Sequence, residues 1–100
     1  MTKAESADRD PRLELIDCRN AIEVIDRRIV TLLAQRIALG LRAAAAKRSA
    51  DLPLKDKKRE AEVIERAVAE GRSHKLSEKA VKKIFEHIVD MSRRAQEDAR

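Results

Sequence analysis

Residues 15–47 read LIDCRNAIEVIDRRIVTLLAQRIALGLRAAAAK, and this stretch decides the fold. Its apolar side chains recur at alternating spacings of three and four residues, forming a stripe of Leu15, Cys18, Ile22, Ile25, Ile29 and Leu32. That spacing is typical of a helix that packs along its whole length against other helices. The next position of the stripe is Arg36, and Lys47 lies beside the stripe further along. Because a guanidinium is costly to desolvate without an anion, the stretch indicates a helix that holds a small anion.

The composition of the chain places it among small helical proteins. It has 100 residues, of which 41% are charged and 43% hydrophobic, and Phe85 is the single aromatic residue. This length is typical of one domain, and the richness in Ala, Leu, Ile, Glu, Lys and Arg favours helix over strand. A core with one aromatic side chain is small, so burial against a partner is expected. We therefore predict an all-α protein.

The breakers along the chain predict three helices: one long, one short and one medium. The first helix runs over about 11–49, the second over 57–71 and the third over 78–98. Asp56 and Ser77 are the predicted N-caps of the second and third helices. Pro53 lies in the connector between the first two helices. At about 1.5 Å per residue the first helix is about 55 Å long, which is more than the rest of the chain can cover. A second copy of the chain is the simplest cover. Residues 1–11 are predicted to be a disordered polar tail and residues 12–100 the folded domain.

The faces of the two shorter helices follow from their apolar spacing. The second helix is predicted to turn inward Glu60, Val63, Ile64, Ala67 and Val68. The third is predicted to turn inward Val81, Ile84, Phe85, Ile88, Met91, Ser92 and Ala95.

Charge and special residues limit the classes of function. The net charge of +5 and the pI of about 9.7 favour an anionic partner, which can be nucleic acid, an acidic membrane surface or a small polyanion. Cys18 is alone and is predicted to be a buried, inert thiol, while His74 and His87 lack the neighbours of a metal site, so no metal is expected. No uninterrupted apolar run of 18 residues and no leader sequence is visible, so we expect a cytoplasmic protein that contacts no membrane.

Two cations on the first helix have a spacing that suits a dianion. Arg36 and Lys47 are separated by three turns plus about 20°, and they lie about 16 Å apart on one face, with Gly40 and Ala43 between them. The pair defines either a groove that grips a compact dianion or two cations that reach out to water. Arg19 is rotated from Arg36 by about 260°, so it can join such a groove only from a partner chain.

Further polar residues surround the start of the second helix and the end of the third. Asp56, Arg59 and Glu60 form either an anion site at a helix N-terminus or an ordinary cap with a surface ion pair. Ser92 and Gln96 are four residues apart beside the apolar face of the third helix. Either they have hydrogen-bonding partners there, as buried polar groups need, or this end of the helix is open to solvent.

Taken in order along the chain, these residues form the pattern of a known family. The chain resembles the all-helical chorismate mutases over about residues 13–96. The resemblance rests on Arg19, Ile25-Asp26, Leu32-Leu33-Ala34-Gln35-Arg36, Lys47, Pro53-Leu54-Lys55-Asp56, Arg59-Glu60, Ser92 and Gln96. It implies an intertwined homodimeric helical bundle with two equivalent sites and no cofactor.

The resemblance also implies a role for each site residue. Arg36 and the partner subunit's Arg19 would hold the two carboxylates of chorismate. Lys47 and Gln96 would donate to its ether oxygen while chorismate rearranges to prephenate. Glu60 would accept a hydrogen bond from the ring hydroxyl. Three further residues would contact the rest of the substrate: Asp56, Arg59 and Ser92.

Other functions stay open at this point. On the same fold, an isochorismate pyruvate-lyase or a 4-amino-4-deoxychorismate mutase is the nearest alternative, and the Arg59-Glu60 pair argues against both. A basic helical dimer that binds nucleic acid is the alternative from another class, although stacking aromatic residues are missing. A non-catalytic scaffold is a third. A regulatory partner enzyme is compatible with the resemblance, whereas nucleic acid is not expected as a partner.

Overall fold

The computed structural model describes residues 9–99 of the chain. Over this range the chain forms three helices and no strand. Helix α1 is Pro11–Ser49, α2 is Lys57–Ser73 and α3 is Glu78–Asp98. The predicted all-α class and the order long, short, medium are confirmed. The end of α2 lies slightly beyond the predicted Gly71.

The start of α1 is fixed by local interactions. The backbone N–H of Arg12 donates to Oδ1 of Asp10 at 2.9 Å, and Pro11 supplies the first helical residue. Arg9 forms ion pairs with Glu14, at 3.0 Å, and with Asp17. Of the predicted tail, residues 1–8 lie outside the described residues, and the boundary between tail and domain stays a prediction.

The two shorter helices begin at the predicted caps. The side chain of Asp56 accepts from the backbone N–H of Arg59 at 3.0 Å, and Oγ of Ser77 accepts from that of Ala80 at 3.2 Å. Each such cap is worth about 1 kcal/mol, because it satisfies an amide that the helix leaves without a partner.

An ion pair bridges the turn between α2 and α3. Arg72 contacts Glu78 at 2.5 Å, and Lys75 adopts a φ of 60° between them. The hydrogen bond to Glu78, followed by its charge, raises the pKa of Arg72 above its ordinary value. Arg72 is cationic throughout the accessible pH range in any case, so the raised pKa does not change its charge.

Two segments of the chain differ in burial. In residues 9–32 the apolar stripe is open: Leu15, Ile22 and Ile29 are each about half exposed. Cys18 is also exposed, so the prediction of a buried thiol is wrong for the single chain. The prediction assumed that a neighbouring helix covers this stretch.

Residues 33–99 contain the buried core. Ala44, Val81, Val89 and Ser92 are the buried side chains among them, and Gly71 is buried beside Val81. The predicted inward face of α2 is half-buried. On α3 the prediction is wrong for two of its residues, Ile84 and Met91, which are 56% and 45% exposed. At 100° per residue, Ile84 and Met91 lie at one edge of the helix face whose centre carries the buried residues Val81 and Ser92.

Helix α1 is long and apolar enough to cross a membrane by length and composition. Its most apolar window of 18 residues has a mean hydropathy of 1.4, and 6% of that window is buried. Helices that pack into a core or between subunits meet the same criterion, and this stretch also carries Arg36 and Arg42. That the chain contacts no membrane stays a prediction.

Candidate active site

A cleft of about 900 Å³ lies within residues 33–99. The second half of α1, the connector, the start of α2 and the end of α3 all contribute to its lining. It brings together these residues of the predicted site: Arg36, Lys47, Asp56, Arg59, Glu60, Ser92 and Gln96. The eighth, Arg19, is exposed in the segment 9–32 and does not line the cleft.

The α1 side of the cleft carries the two cations predicted to share a face. Arg36 and Lys47 are both half-buried, and the small residues Gly40 and Ala43 line the cleft between them. The Nζ of Lys47 donates to the backbone carbonyl of Leu54 at 3.2 Å. This bond ties the ammonium to the connector and leaves it further donors for a ligand.

The connector is itself held by α1. The backbone N–H of Leu52 donates to the carbonyl of Lys47 at 2.8 Å, and Asp51 adopts a φ of 58°. Asp51 is among the residue types that tolerate this left-handed conformation best. The chain thereby reverses just after α1 and places Leu54 near the Lys47 side chain.

The start of α2 combines a cap with charged side chains. The carboxylate of Asp56 accepts from the backbone N–H of Arg59, so Asp56 caps the helix whether or not it also contacts a ligand. Arg59 lies 3.8 Å from Glu62 and is about half exposed. An exposed pair at that distance contributes little to stability, so the guanidinium remains available to an anion.

The α3 side of the cleft carries the two polar residues predicted to need partners. Ser92 is 7% exposed, and Nε2 of Gln96 donates to its Oγ at 3.4 Å. Both approach α1 closely at Gly40, where an added Cβ would lie 2.8 Å from Oγ of Ser92 and 3.2 Å from Nε2 of Gln96. The Gln96 amide carries a second N–H for a ligand.

Sequence reasoning gave no site role to three charged residues that line the cleft: Lys55, Arg93 and Glu97. Of these, Arg93 is paired with a predicted site residue. Its Nε lies 3.4 Å from Oε2 of Glu60, and its Nη1 lies 3.8 Å from Oδ1 of Asp90. Arg93 lies one helical turn after Val89, which is buried. That spacing was the only indication in the sequence that Arg93 faces inward. The pairing with Glu60 joins two helices, so no local pattern reveals it.

The charge of the cleft suits an anionic ligand. Its lining has five cations (Arg36, Lys47, Lys55, Arg59 and Arg93) and three acids (Asp56, Glu60 and Glu97), which leaves two positive charges. Such an excess in a concave site attracts anions. Donors at both ends and a small-residue floor between them fit a compact dianion better than an extended polymer.

Comparison with known proteins agrees with this geometry. The family model described as chorismate mutase type II matches residues 18–97. The chain belongs to this family. The match extends over the whole cleft and over most of the exposed stripe of α1.

Curated relatives carry the same family name in longer chains. A bifunctional chorismate mutase/prephenate dehydratase of Enterobacter agglomerans is 29% identical over 83 residues, which are 83% of this chain and 21% of the relative. Its counterpart in Buchnera aphidicola subsp. Baizongia pistaciae is 32% identical over 78 residues (78% and 21%). That of Escherichia coli strain K12 is 30% identical over 78 residues (78% and 20%). The chain thus spans about a fifth of the length of these relatives.

Proposed function

We propose that the chain is a chorismate mutase that converts chorismate to prephenate by a Claisen rearrangement. The observation that carries the proposal is the cleft that unites Arg36, Lys47 and Gln96 in a chain of this family. The reaction is unimolecular: one carbon–oxygen bond breaks, one carbon–carbon bond forms, and no proton is transferred. Positioning and electrostatics are therefore what the protein has to supply.

The first contribution is selection of a folded substrate conformer. Chorismate carries two carboxylates, and the rearrangement requires its enolpyruvyl side chain to lie over the ring. Arg36 binds one carboxylate with a bidentate fork, and the partner subunit's Arg19 binds the other. Clamping both groups removes the entropy of the extended conformers before the bonds change.

The second contribution is stabilisation of the ether oxygen, which gains negative charge as its bond to the ring breaks. Lys47 and Gln96 donate to it, from α1 and α3 respectively. Lys47 is held by Leu54, and Gln96 is held by Ser92, so neither donor reorganises much during the reaction. Fixed donors aimed at a developing charge are the most effective form of electrostatic catalysis.

A second copy of the chain completes the proposed site. The open stripe in residues 9–32 supports a homodimer, because large apolar side chains are half exposed along it. Arg19 belongs to the same segment, whose stripe the partner would cover. In this arrangement each cleft takes Arg36 and Lys47 from one protomer and Arg19 from the other.

Incubation of the purified protein with chorismate, isochorismate and 4-amino-4-deoxychorismate in separate reactions tests the function. We expect chorismate to be consumed and prephenate to appear, as resolved by chromatography. Release of pyruvate from isochorismate, or preferred turnover of the amino compound, would assign the chain to one of the related activities instead.

A further inference from the structure

The ion pair between Glu60 and Arg93 crosses the cleft from α2 to α3, and the function proposed above gives Arg93 no role. Both side chains line the cleft, with Glu60 28% and Arg93 37% exposed. An ion pair so near the surface adds little stability. Its place beside the binding site suggests that it serves the site instead.

The geometry of Arg93 fixes its guanidinium from two sides. Asp90 lies 3.8 Å from Nη1 on the same helix, while Glu60 lies 3.4 Å from Nε on the neighbouring helix. Arg94, the next residue, contacts the other oxygen of Asp90 at 3.0 Å and points to solvent with 76% of its side chain exposed. Asp90 thus anchors two arginines, and only Arg93 of these two lines the cleft.

The Nε of Arg93 is buried and makes no hydrogen bond in the structure, although Glu60 lies close enough for an ion pair. A buried donor without a partner costs free energy, so it favours any small movement that brings an acceptor onto it. The Glu60 carboxylate, 3.4 Å away, is an acceptor within reach of such a movement. Arg93 therefore restrains the position of that carboxylate, and it also places a positive charge next to it.

We propose that Arg93 is a positioning residue that holds the Glu60 carboxylate for the substrate hydroxyl and makes the cleft reject a cationic group at the same position. This inference rests on the proposed function and on the role that the family resemblance implies for Glu60, which is to accept from the ring hydroxyl. A neutral hydroxyl donates to the held carboxylate without penalty. The ammonium of an amino analogue meets a carboxylate whose charge is already compensated by the guanidinium, and like charge repels it.

The test replaces Arg93 by Met, which keeps much of the length of the side chain and removes its charge. We expect KM for chorismate to rise roughly fivefold with little change in kcat, because one hydrogen bond of ordinary strength is loosened in both the bound and the transition state. The preference for chorismate over 4-amino-4-deoxychorismate, expressed as the ratio of kcat/KM values, falls. Arg93→Lys restores part of this preference because it returns the charge.

Two comparisons separate positioning from other roles. Arg94→Met is the matched control, since it removes a neighbouring arginine that shares Asp90 but does not line the cleft, and its kinetics should equal those of the unaltered protein. In a Glu60→Gln background, Arg93→Met should have little further effect on KM or on the preference, because Arg93 acts through that carboxylate. Thermal unfolding of every variant measures whether folding is retained. If Arg93→Met does not fold, Arg93→Lys is compared with the unaltered protein instead.

Each result decides the inference. An Arg93→Met variant with the kinetics and preference of the Arg94→Met control would overturn it, as would an equal loss in the Glu60→Gln background, which would mean that Arg93 touches the ligand itself. Unaltered protein that leaves chorismate untouched overturns the proposed function and this inference with it. Active unaltered protein with an unchanged Arg93→Met variant overturns the inference alone.

Discussion

A methyl group added at Gly40 would lie 2.8 Å from Oγ of Ser92, closer than side-chain atoms normally approach a Cβ. The helix therefore has a glycine here because α3 brings two polar side chains, Ser92 and Gln96, directly against it. The sequence shows this glycine only as a cost to α1 of about 1 kcal/mol relative to Ala. In the folded chain that cost is linked to the placement of donors in the cleft.

Gly40→Ala tests this link. Helix propensity gains about 1 kcal/mol, whereas overpacking at so close a contact costs about 1–3 kcal/mol, so we expect no increase in thermal stability. We expect kcat to fall because Ser92 and Gln96 are displaced together. Steady-state kinetics with chorismate and thermal unfolding measure the two effects. A stabilised variant with full activity would refute the proposal that Gly40 makes room for Ser92 and Gln96.

Arg36→Ala and Lys47→Ala separate function from folding. Each removes a half-buried cation that binds the substrate in the proposed function, so the folded state should be retained. Lys47→Ala also loses the bond to the Leu54 carbonyl, so a gain in stability is expected only for Arg36→Ala. Turnover of chorismate should drop by a factor on the order of a hundred to a thousand. Arg42→Ala removes an exposed cation of the same helix and is the matched control, for which normal kinetics are expected.

The pH dependence of the rate tests the role of Gln96. An amide donates hydrogen bonds at any ordinary pH, so we expect a flat profile around neutrality for the unaltered protein. In Gln96→Glu the introduced carboxyl donates only while it is protonated. Its activity should therefore rise as the pH falls and be lost as the pH rises through the pKa of that carboxyl. A sharp acidic optimum in the unaltered protein would contradict the proposal.

Gly71 supports the fold rather than the cleft. A Cβ at this buried position would lie 2.8 Å from Cγ2 of Val81 and 3.4 Å from its Cγ1. Overpacking at so close a contact costs about 1–3 kcal/mol and helix propensity gains about 1 kcal/mol, so Gly71→Ala should lower the free energy of unfolding by up to about 2 kcal/mol, as measured by chemical denaturation. Adding Val81→Ala removes the clashing methyl groups, so the two changes should be strongly non-additive, and simple addition would show that they do not meet.

The parts of this structure that depend on neighbouring residues along the chain were predictable. Asp56 and Ser77 mark helix starts by their own hydrogen bonds, and the rotation between Arg36 and Lys47 follows from helix geometry alone. The exposure of Cys18 and of Ile84 was not predictable, because it depends on which neighbour covers a given edge of an apolar stripe. The contact of Arg93 with Glu60 was missed for the same reason, since it joins residues of different helices.

A mixed-subunit assay tests the central claim, that two protomers share each site. Homodimers of Arg19→Ala and of Lys47→Ala should each be nearly inactive as chorismate mutases. In a dimer with one chain of each kind, one site receives an intact Lys47 from its own chain and an intact Arg19 from the other, while the second site lacks both. We predict that the purified mixed dimer recovers about half of the unaltered activity, whereas no recovery, or a monomeric protein that is fully active, would contradict the account.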